Sequence, residues 1–340
     1  MNISLDQLRN GLELDKDLVF AQRPAHPEMR ESTSIWMFDE TGAFGFPRMG
    51  VEAEASSWDN RLFQANFAFA DGRIMNGAGR GAPPSPFGSD GRPSVIGAGA
   101  ISFRCLEPFR RWAVTFDGPA IEGHVSQQIA RTLDPTRRKQ VRLEAQMTME
   151  TPAWIQASDE KNATLEDTLM GLGYRFEHLF RAEGVFHVDG QARAFKGTGL
   201  RIHRQSIRRL EGFFGHCWQS ALFPDGRAFG FITYPPKPDG TETYNEGYIY
   251  QEGRMFKAKA VKTPWLRRIV PAGDDVSVEL ESELGRTRIE GTTALATFRV
   301  GNPDIGGLNL QQSGALYRWG GAAAYGMIER SSHESLTTIG

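Results

Sequence analysis

Residues 217–234, CWQSALFPDGRAFGFITY, decide the fold. Two runs rich in aromatic and β-branched residues flank Asp225-Gly226, a pair that tolerates the positive φ angles a two-residue hairpin turn demands. The same punctuation recurs at Asp71-Gly72, Asp117-Gly118, Asp189-Gly190 and Glu252-Gly253, with EGVFHVDGQARAF (183–195) repeating the pattern in full. Such a chain is a β-meander. Helical signal is confined to DEKNATLEDTLMGL (159–172), where Asn162 or Thr164 caps and Gly171 stops the helix, and more weakly to SLDQLRNGL (4–12). Two short helices cannot organise 340 residues, so the class is all-β.

Composition narrows the ligand. Lys and Arg total 39 against 41 acidic residues, a formal charge of −2, which argues against nucleic acid or an anionic membrane surface as partner. Gly at 38 residues implies many turns, and 22 Phe against seven Tyr and seven Trp imply an aromatic interior. Cys105 and Cys217 stand in apolar runs without pair spacing, and the N-terminus lacks a cationic start followed by an apolar run. The expectation is a cytoplasmic protein with no membrane insertion; a homodimer stays open.

Three segments read as connections: NGAGRGAPPSPFGSDGRP (76–93), RTLDPTRRKQ (131–140) and residues 151–172. LFQANFAFADGR (62–73) aligns loosely with CWQSALFPDGR (217–227), which suggests two related barrels. The division expected is 1–150 for an N-terminal and 151–340 for a C-terminal β domain, with 151–172 joining them.

Candidate chemistry clusters early in the second half. In GYRFEHLF (173–180), strand alternation puts Tyr174, Phe176 and His178 on one face, Arg175 and Glu177 on the other. In GTGLRIHRQSIRR (197–209), Arg201, His203 and Gln205 share a face, followed by Arg208. In EGFFGHCWQSALFPDGRAFGF (211–231), His216 and Trp218 alternate with Cys217 and Gln219. If these strands are neighbours, His178, His203 and His216 converge. No zinc signature is present, so acid–base use of a His beside Glu177 or Glu329 is preferred to metal binding. GAGRG (77–81) lacks the βαβ setting of a nucleotide loop, and no G-x-S-x-G elbow occurs, which disfavours nucleophilic hydrolysis. No cofactor is expected.

The order GYRFEH…VDG…GTGLRIHRQSIRR…GFFGHCWQSALFPDGRAFGF…GYIYQEG…YGMIERS, with FRRWAVTFDGPA (109–120) as a first-domain strand pair, resembles the two-domain lipocalin-like family of carotenoid 1,2-hydratase, AttH-like proteins and tocopherol cyclase. Gly197, Gly199, Arg201 and His203 fit that family's strand motif, whereas Ile202 stands where the family often carries Asp and Arg204-Gln205-Ser206 replaces Ser-Trp-Gly. The resemblance implies two lipocalin-like barrels and a site for a mostly apolar small molecule, with no redox cofactor. Together the two lines lead to a lyase, hydratase or isomerase acting on an aromatic or isoprenoid substrate, a lignin-derived phenolic being one instance. In it His203 or His178 moves the proton, Arg201 and Arg208 hold an oxyanion, Trp218, Tyr174 and Phe176 form walls, and His216 and Glu329 complete the substrate contacts. The alternative is a carrier of the same ligands that transforms nothing.

Overall fold

A computed structural model describes residues 3–156, 172–207, 213–237, 239–302 and 307–340. The helix expected over 159–172 falls outside them except for Leu172, which opens a strand, and so do Arg208 and Arg209. The chain is nearly all β, 63% strand and 7% helix, in two barrels.

The first barrel is built from β1 (Met29–Asp39), β2 (Phe44–Glu54), β3 (Arg61–Phe69), β4 (Arg73–Gly81), β5 (Val95–Ala98), β6 (Ile101–Glu107), β7 (Arg111–His124), β8 (Arg138–Met149), β9 (Trp154–Ile155), β10 (Leu172–Val188) and β11 (Gln191–Ile207). Its strands run in the order β4-β3-β2-β1-β11-β10-β8-β7-β6-β5, and pairing of β4 with β7 closes the ring, leaving β5 and β6 as an extension. The second barrel is closed in the order β12-β13-β14-β15-β17-β18-β19-β20. Its strands are β12 (Gly215–Leu222), β13 (Ala228–Thr233), β14 (Asn245–Gln251), β15 (Arg254–Lys262), β17 (Val278–Ser282), β18 (Gly285–Asn302), β19 (Leu308–Trp319) and β20 (Ala322–His333), while β16 (Arg268–Ile269) pairs with β21 (Thr338–Ile339).

The change of sheet falls between β11 and β12, not at 150–170. Eleven consecutive residues of β1 pair with β11, and β10 pairs with both β8 and β11, so 172–207 completes the first ring. Four of the five turn pairs sit in hairpins; at Asp189-Gly190 both residues have positive φ (54° and 74°), as do Glu252 and Gly253 (53° and 76°). Asp117-Gly118 instead lies inside β7, because a Cβ on Gly118 would meet that of Ala100 at 2.6 Å; the glycine serves close approach, not a turn. The expected connection 76–93 is shorter, since β4 runs through Gly81 and leaves 82–93 as its loop side. The helix expected near the N-terminus is α1 (Leu5–Arg9), capped by Ser4, and a second short one, α2 (Val125–Ala130), is capped by His124.

Strands at the seam between the barrels are buried on both faces, which is why their runs lack the alternation of a strand with one solvated side. β1 sends Ile35 and Met37 into the first barrel's core and Trp36 and Phe38 into a seam cluster with Leu179, Leu200, Ile202, Trp218 and Phe298. The second barrel's interior is a separate core that includes Cys217, Phe229, Phe231 and Tyr317.

Candidate functional site: a charged cluster inside the first barrel

Register assembles the cluster. Tyr174 of β10 faces Gln205 of β11 and, beyond it, Glu31 of β1; Phe176 faces His203 and Thr33; His178 faces Arg201 and Ile35. With a side-chain period of two, all nine point into the first barrel. Arg201, His178 and His203 are wholly buried.

A buried guanidinium requires a partner. It comes from outside the strands: Asp17 ends a 3-10 turn (Leu14–Asp17) and receives Arg201 Nη1 at 2.8 Å. The other Asp17 oxygen accepts the Phe109 backbone N–H at 2.5 Å and Trp112 Nε1 at 2.8 Å. Phe109 holds φ +60°, an uncommon conformation for an aromatic residue, and thereby aims that N–H at the carboxylate. Arg201 lies 3.7 Å over the Trp112 ring. Its Nε and Nη2 have no hydrogen-bond partner in the protein.

Burial alone would raise the Asp17 carboxyl, but Arg201, His203, His178 and the Trp112 N–H together hold it below the ordinary value. Burial pushes His178 down to about 4, against the pull of Asp17. His203 falls to about 3 by burial and then by repulsion from Arg201. Both imidazoles are therefore neutral at pH 7. His178 Nε2 sits 3.1 Å from the Leu8 carbonyl, which can only accept, so Nε2 carries the proton and Nδ1 presents a bare lone pair with no protein partner. His203 Nδ1 lies 3.4 Å from the Thr33 hydroxyl, and its Nε2 is likewise unpartnered. Phe176 packs against both rings at 5.6 and 5.4 Å, and Tyr174 stacks on His203 at 6.0 Å.

Glu31 adds a second carboxyl at the end of the row. It accepts from the Phe20 N–H at 3.1 Å and from Gln205 Nε2 at 2.6 Å, and Gln205 Oε1 accepts from the Tyr174 hydroxyl. Burial raises it to about 7 despite these bonds, so it is half-protonated near neutrality.

Glu177 is not in this cluster. It faces the seam, where Arg175 Nη1 pairs with it at 2.8 Å, Trp218 Nε1 donates at 3.2 Å and the Gln156 amide donates to Oε1. Burial raises its carboxyl above the usual range although Arg175 opposes the shift. Trp218 is a seam residue too, edge-on to Trp36 at 4.8 Å and under Arg175 at 4.8 Å. Nor does His216 join His178 and His203: it belongs to β12, where its Nε2 lies 3.2 Å from Glu329 of β20. The three histidines therefore do not converge, since the seam stands between them. Among the described residues no group of three or more His, Cys, Asp or Glu is placed to hold a metal ion.

Sequence reasoning missed Asp17, Trp112 and Glu31. Asp17 lies in the acidic run LELDKD, which reads as a solvated face; in β1 the unbroken polar run RESTS (30–34) offers no alternation that would single out Glu31 or Thr33 as inward-facing. A cleft of about 600 Å³ borders Trp154, Tyr248 and Met255, and one of about 470 Å³ borders Phe213, Tyr234 and Trp265. Neither is lined by the Arg201 cluster, which is closed over by Leu8, Asp17 and Trp112.

Fold and site together define a protein of two antiparallel β-barrels with an ionised, aromatic-walled cluster in one of them. A family model described as a domain of unknown function, DUF7064, matches residues 17–334, and the chain belongs to that family. No curated protein matches it in sequence. Among solved structures, a protein described as an AttH from Nitrosomonas europaea aligns with TM-score 0.60 at 14% identity, covering 93% of this chain and 99% of the other. Kievitone hydratase from Nectria haematococca aligns with TM-score 0.52 at 11% identity, covering 93% of each chain. CghA in complex with Sch210972 aligns with TM-score 0.51 at 10% identity, covering 94% and 97%. At these identities the likeness is one of fold.

Proposed function

We propose that this chain is a cofactor-independent lyase, hydratase or isomerase acting on a hydrophobic aromatic or isoprenoid molecule that carries one oxygen able to bear negative charge. One observation carries the reading: Arg201 is wholly buried with Nε and Nη2 unpartnered, beside two neutral imidazoles that each keep one ring nitrogen free. Free guanidinium donors suit a phenolate or carboxylate, and a neutral imidazole suits proton transfer near pH 7. In this reading Arg201 holds the oxyanion, His178 Nδ1 or His203 Nε2 takes the proton, and Trp112, Phe176 and Tyr174 enclose the ring. Elimination through a quinone-methide-like intermediate needs no more than those groups, so a lignin-derived phenolic is a fitting substrate. Entry requires the segment that brings Leu8 and Asp17 to shift. Kievitone hydratase, a hydratase by name on the same fold, supports the reaction class; the carotenoid reaction is not carried over, because Ile202 replaces the family's Asp. Glu177, cross-strand from Ile202, offers at the seam a carboxyl that burial raises above its usual value against the pull of Arg175, a second candidate acid. The free, buried cysteines support a reducing compartment, the cytoplasm, and no helix among the described residues is long and apolar enough to cross a membrane.

Turnover across a panel of phenolic ethers and alkenes tests the proposal. Arg201→Lys lowers it by about 10²–10³-fold, and His178→Asn or His203→Asn by about 10²-fold or more. A second reading, a carrier, is favoured by the aromatic-lined clefts of about 600 and 470 Å³, which can hold an apolar ligand without touching the Arg201 cluster. Retained ligand binding with turnover lost in the histidine variants supports the enzyme; absence of turnover on the whole panel with binding intact supports the carrier.

A further inference from the structure

A different set of side chains, at the seam and away from Arg201, has the arrangement of an activated nucleophile. Glu329, His216 and Ser331 lie on the adjacent strands β12 and β20, with His216 directly opposite Ser331. The Ser331 hydroxyl is 2.6 Å from His216 Nδ1, and Glu329 Oε1 is 3.2 Å from His216 Nε2. Glu329 is fixed on its other oxygen by Gln312 Nε2 at 2.8 Å, and Gln312 is in turn held by Gln64 and Asn66 of the first barrel at 2.9 and 3.1 Å.

The chemistry of the partners sets the proton positions. Arg48, 3.9 Å from Glu329, the Gln312 amide and the His216 ring all favour the carboxylate, and Glu329 stays below its ordinary value although burial opposes this. A carboxylate only accepts, so His216 Nε2 bears the hydrogen and Nδ1 is the lone pair to which Ser331 O–H donates. That is nucleophile, base and orienting acid in one line, and such a set is recognised by geometry and roles rather than by a sequence motif. Arg48 adds a second sign of function: it holds φ +74° at an irregularity in β2, where non-glycine residues are uncommon.

The set opens on a site of suitable shape. Ser331 and Ser332 line the cleft of about 470 Å³, whose other walls include Phe213, Tyr234, Trp265 and Leu266. Phe213 lies 5.6 Å from the His216 ring and 5.2 Å from Tyr234, so the imidazole is roofed by aromatic surface. We infer that Ser331, His216 and Glu329 form a second active centre that cleaves small, uncharged aryl or alkyl esters bound in this cleft. In the first step Ser331 Oγ bonds to the ester carbonyl carbon and its proton passes to His216 Nδ1. The carbon–oxygen bond to the leaving group then breaks, and His216 returns the proton to the departing alcohol. Water attacks the acyl-Ser331, losing its proton to His216 Nδ1; the carboxylic acid leaves and Ser331 recovers its hydrogen.

The purified full chain is incubated with an alkyl fluorophosphonate and, separately, with p-nitrophenyl butyrate. One adduct per chain on the Ser331 peptide, together with p-nitrophenolate release that falls about 10²-fold or more in Ser331→Ala and His216→Asn, is the expected result. Since the Ser331 hydroxyl also accepts the His216 backbone N–H at 3.1 Å, Ser331→Cys serves as the fold-preserving variant. It loses the fluorophosphonate adduct and gains reaction with iodoacetamide, with circular dichroism matching the native chain. No adduct on native Ser331, or ester release equal in the native chain and in any folded Ser331 variant, overturns the inference.

Discussion

Each barrel encloses an arginine that is at most 1% exposed, and the two are satisfied to different degrees. In the second barrel Arg330, 1% exposed, donates Nε to Gln311 at 2.8 Å, Nη1 to the Pro264 carbonyl at 3.0 Å and Nη2 to Asp274. Every nitrogen has a protein partner. In the first barrel Arg201, 0% exposed, places one nitrogen on Asp17 and leaves two without partners. Both side chains bear the desolvation cost of burial, yet only one is given the full set of acceptors that offsets it. A stabilising arginine is built like Arg330, whereas donors left open in a closed, aromatic interior beside two neutral imidazoles suit a ligand oxygen.

Removing the charges separates the two most strongly. Arg201→Met strands the wholly buried Asp17 carboxylate and costs about 3–5 kcal/mol in urea unfolding. Asp17→Asn combined with Arg201→Met recovers most of that loss, because no unpaired charge remains. Arg330→Met leaves Asp274, whose side chain is 21% exposed and can rehydrate, so its cost is smaller, about 1–3 kcal/mol. Equal losses for the two arginines, or no recovery in the double variant, would break the comparison.

The next effect lies in pH. Below pH 6.5 the unfolded chain protonates His203, while the folded chain refuses that proton until about pH 3. This residue therefore lowers stability progressively as pH falls through that window. Glu31 works in the opposite direction: folded, it keeps its proton up to about pH 7, whereas unfolded it releases it above its ordinary value of 4.5. It lowers stability as pH rises from 4.5 to 7. His203→Asn reduces the slope of unfolding free energy against pH between 4.5 and 6 by about 1.4 kcal/mol per unit, and Glu31→Gln increases it by the same amount. Among the described residues the second barrel's core holds no histidine, so Arg330→Lys leaves the slope alone.

Local pattern made the class legible. Asp-Gly and Glu-Gly pairs marked four hairpins, and period-two alternation placed Tyr174, Phe176, His178, Arg201 and His203 on one face of neighbouring strands. Where alternation failed, the cause was long-range. β10 and β11 are buried on both faces over 175–180 and 199–206 because a second barrel covers their outer side, and polar residues stand on both faces, so nothing in their composition assigns them to the first ring; only pairing with β1 does. Gly118 looked like a turn because close packing on Ala100 and a positive φ call for the same residue. Asp17 was hidden for a related reason: it ends an acidic segment before any strand, and the interior arginine that captures it is 184 residues away. His216 was grouped with His178 and His203 on sequence proximity, but β12 belongs to the other barrel.

The most direct test of the account is calorimetric titration of 4-hydroxycinnamate, an aromatic probe with carboxylate and phenol oxygens, into the native chain, Arg201→Lys and Arg330→Lys at pH 7. The account predicts binding to the native chain, a loss of about tenfold or more in affinity for Arg201→Lys, which removes the planar fork and its open donors, and native affinity for folded Arg330→Lys. Equal affinity in the native chain and the Arg201 variant, or a loss only with Arg330, would contradict it.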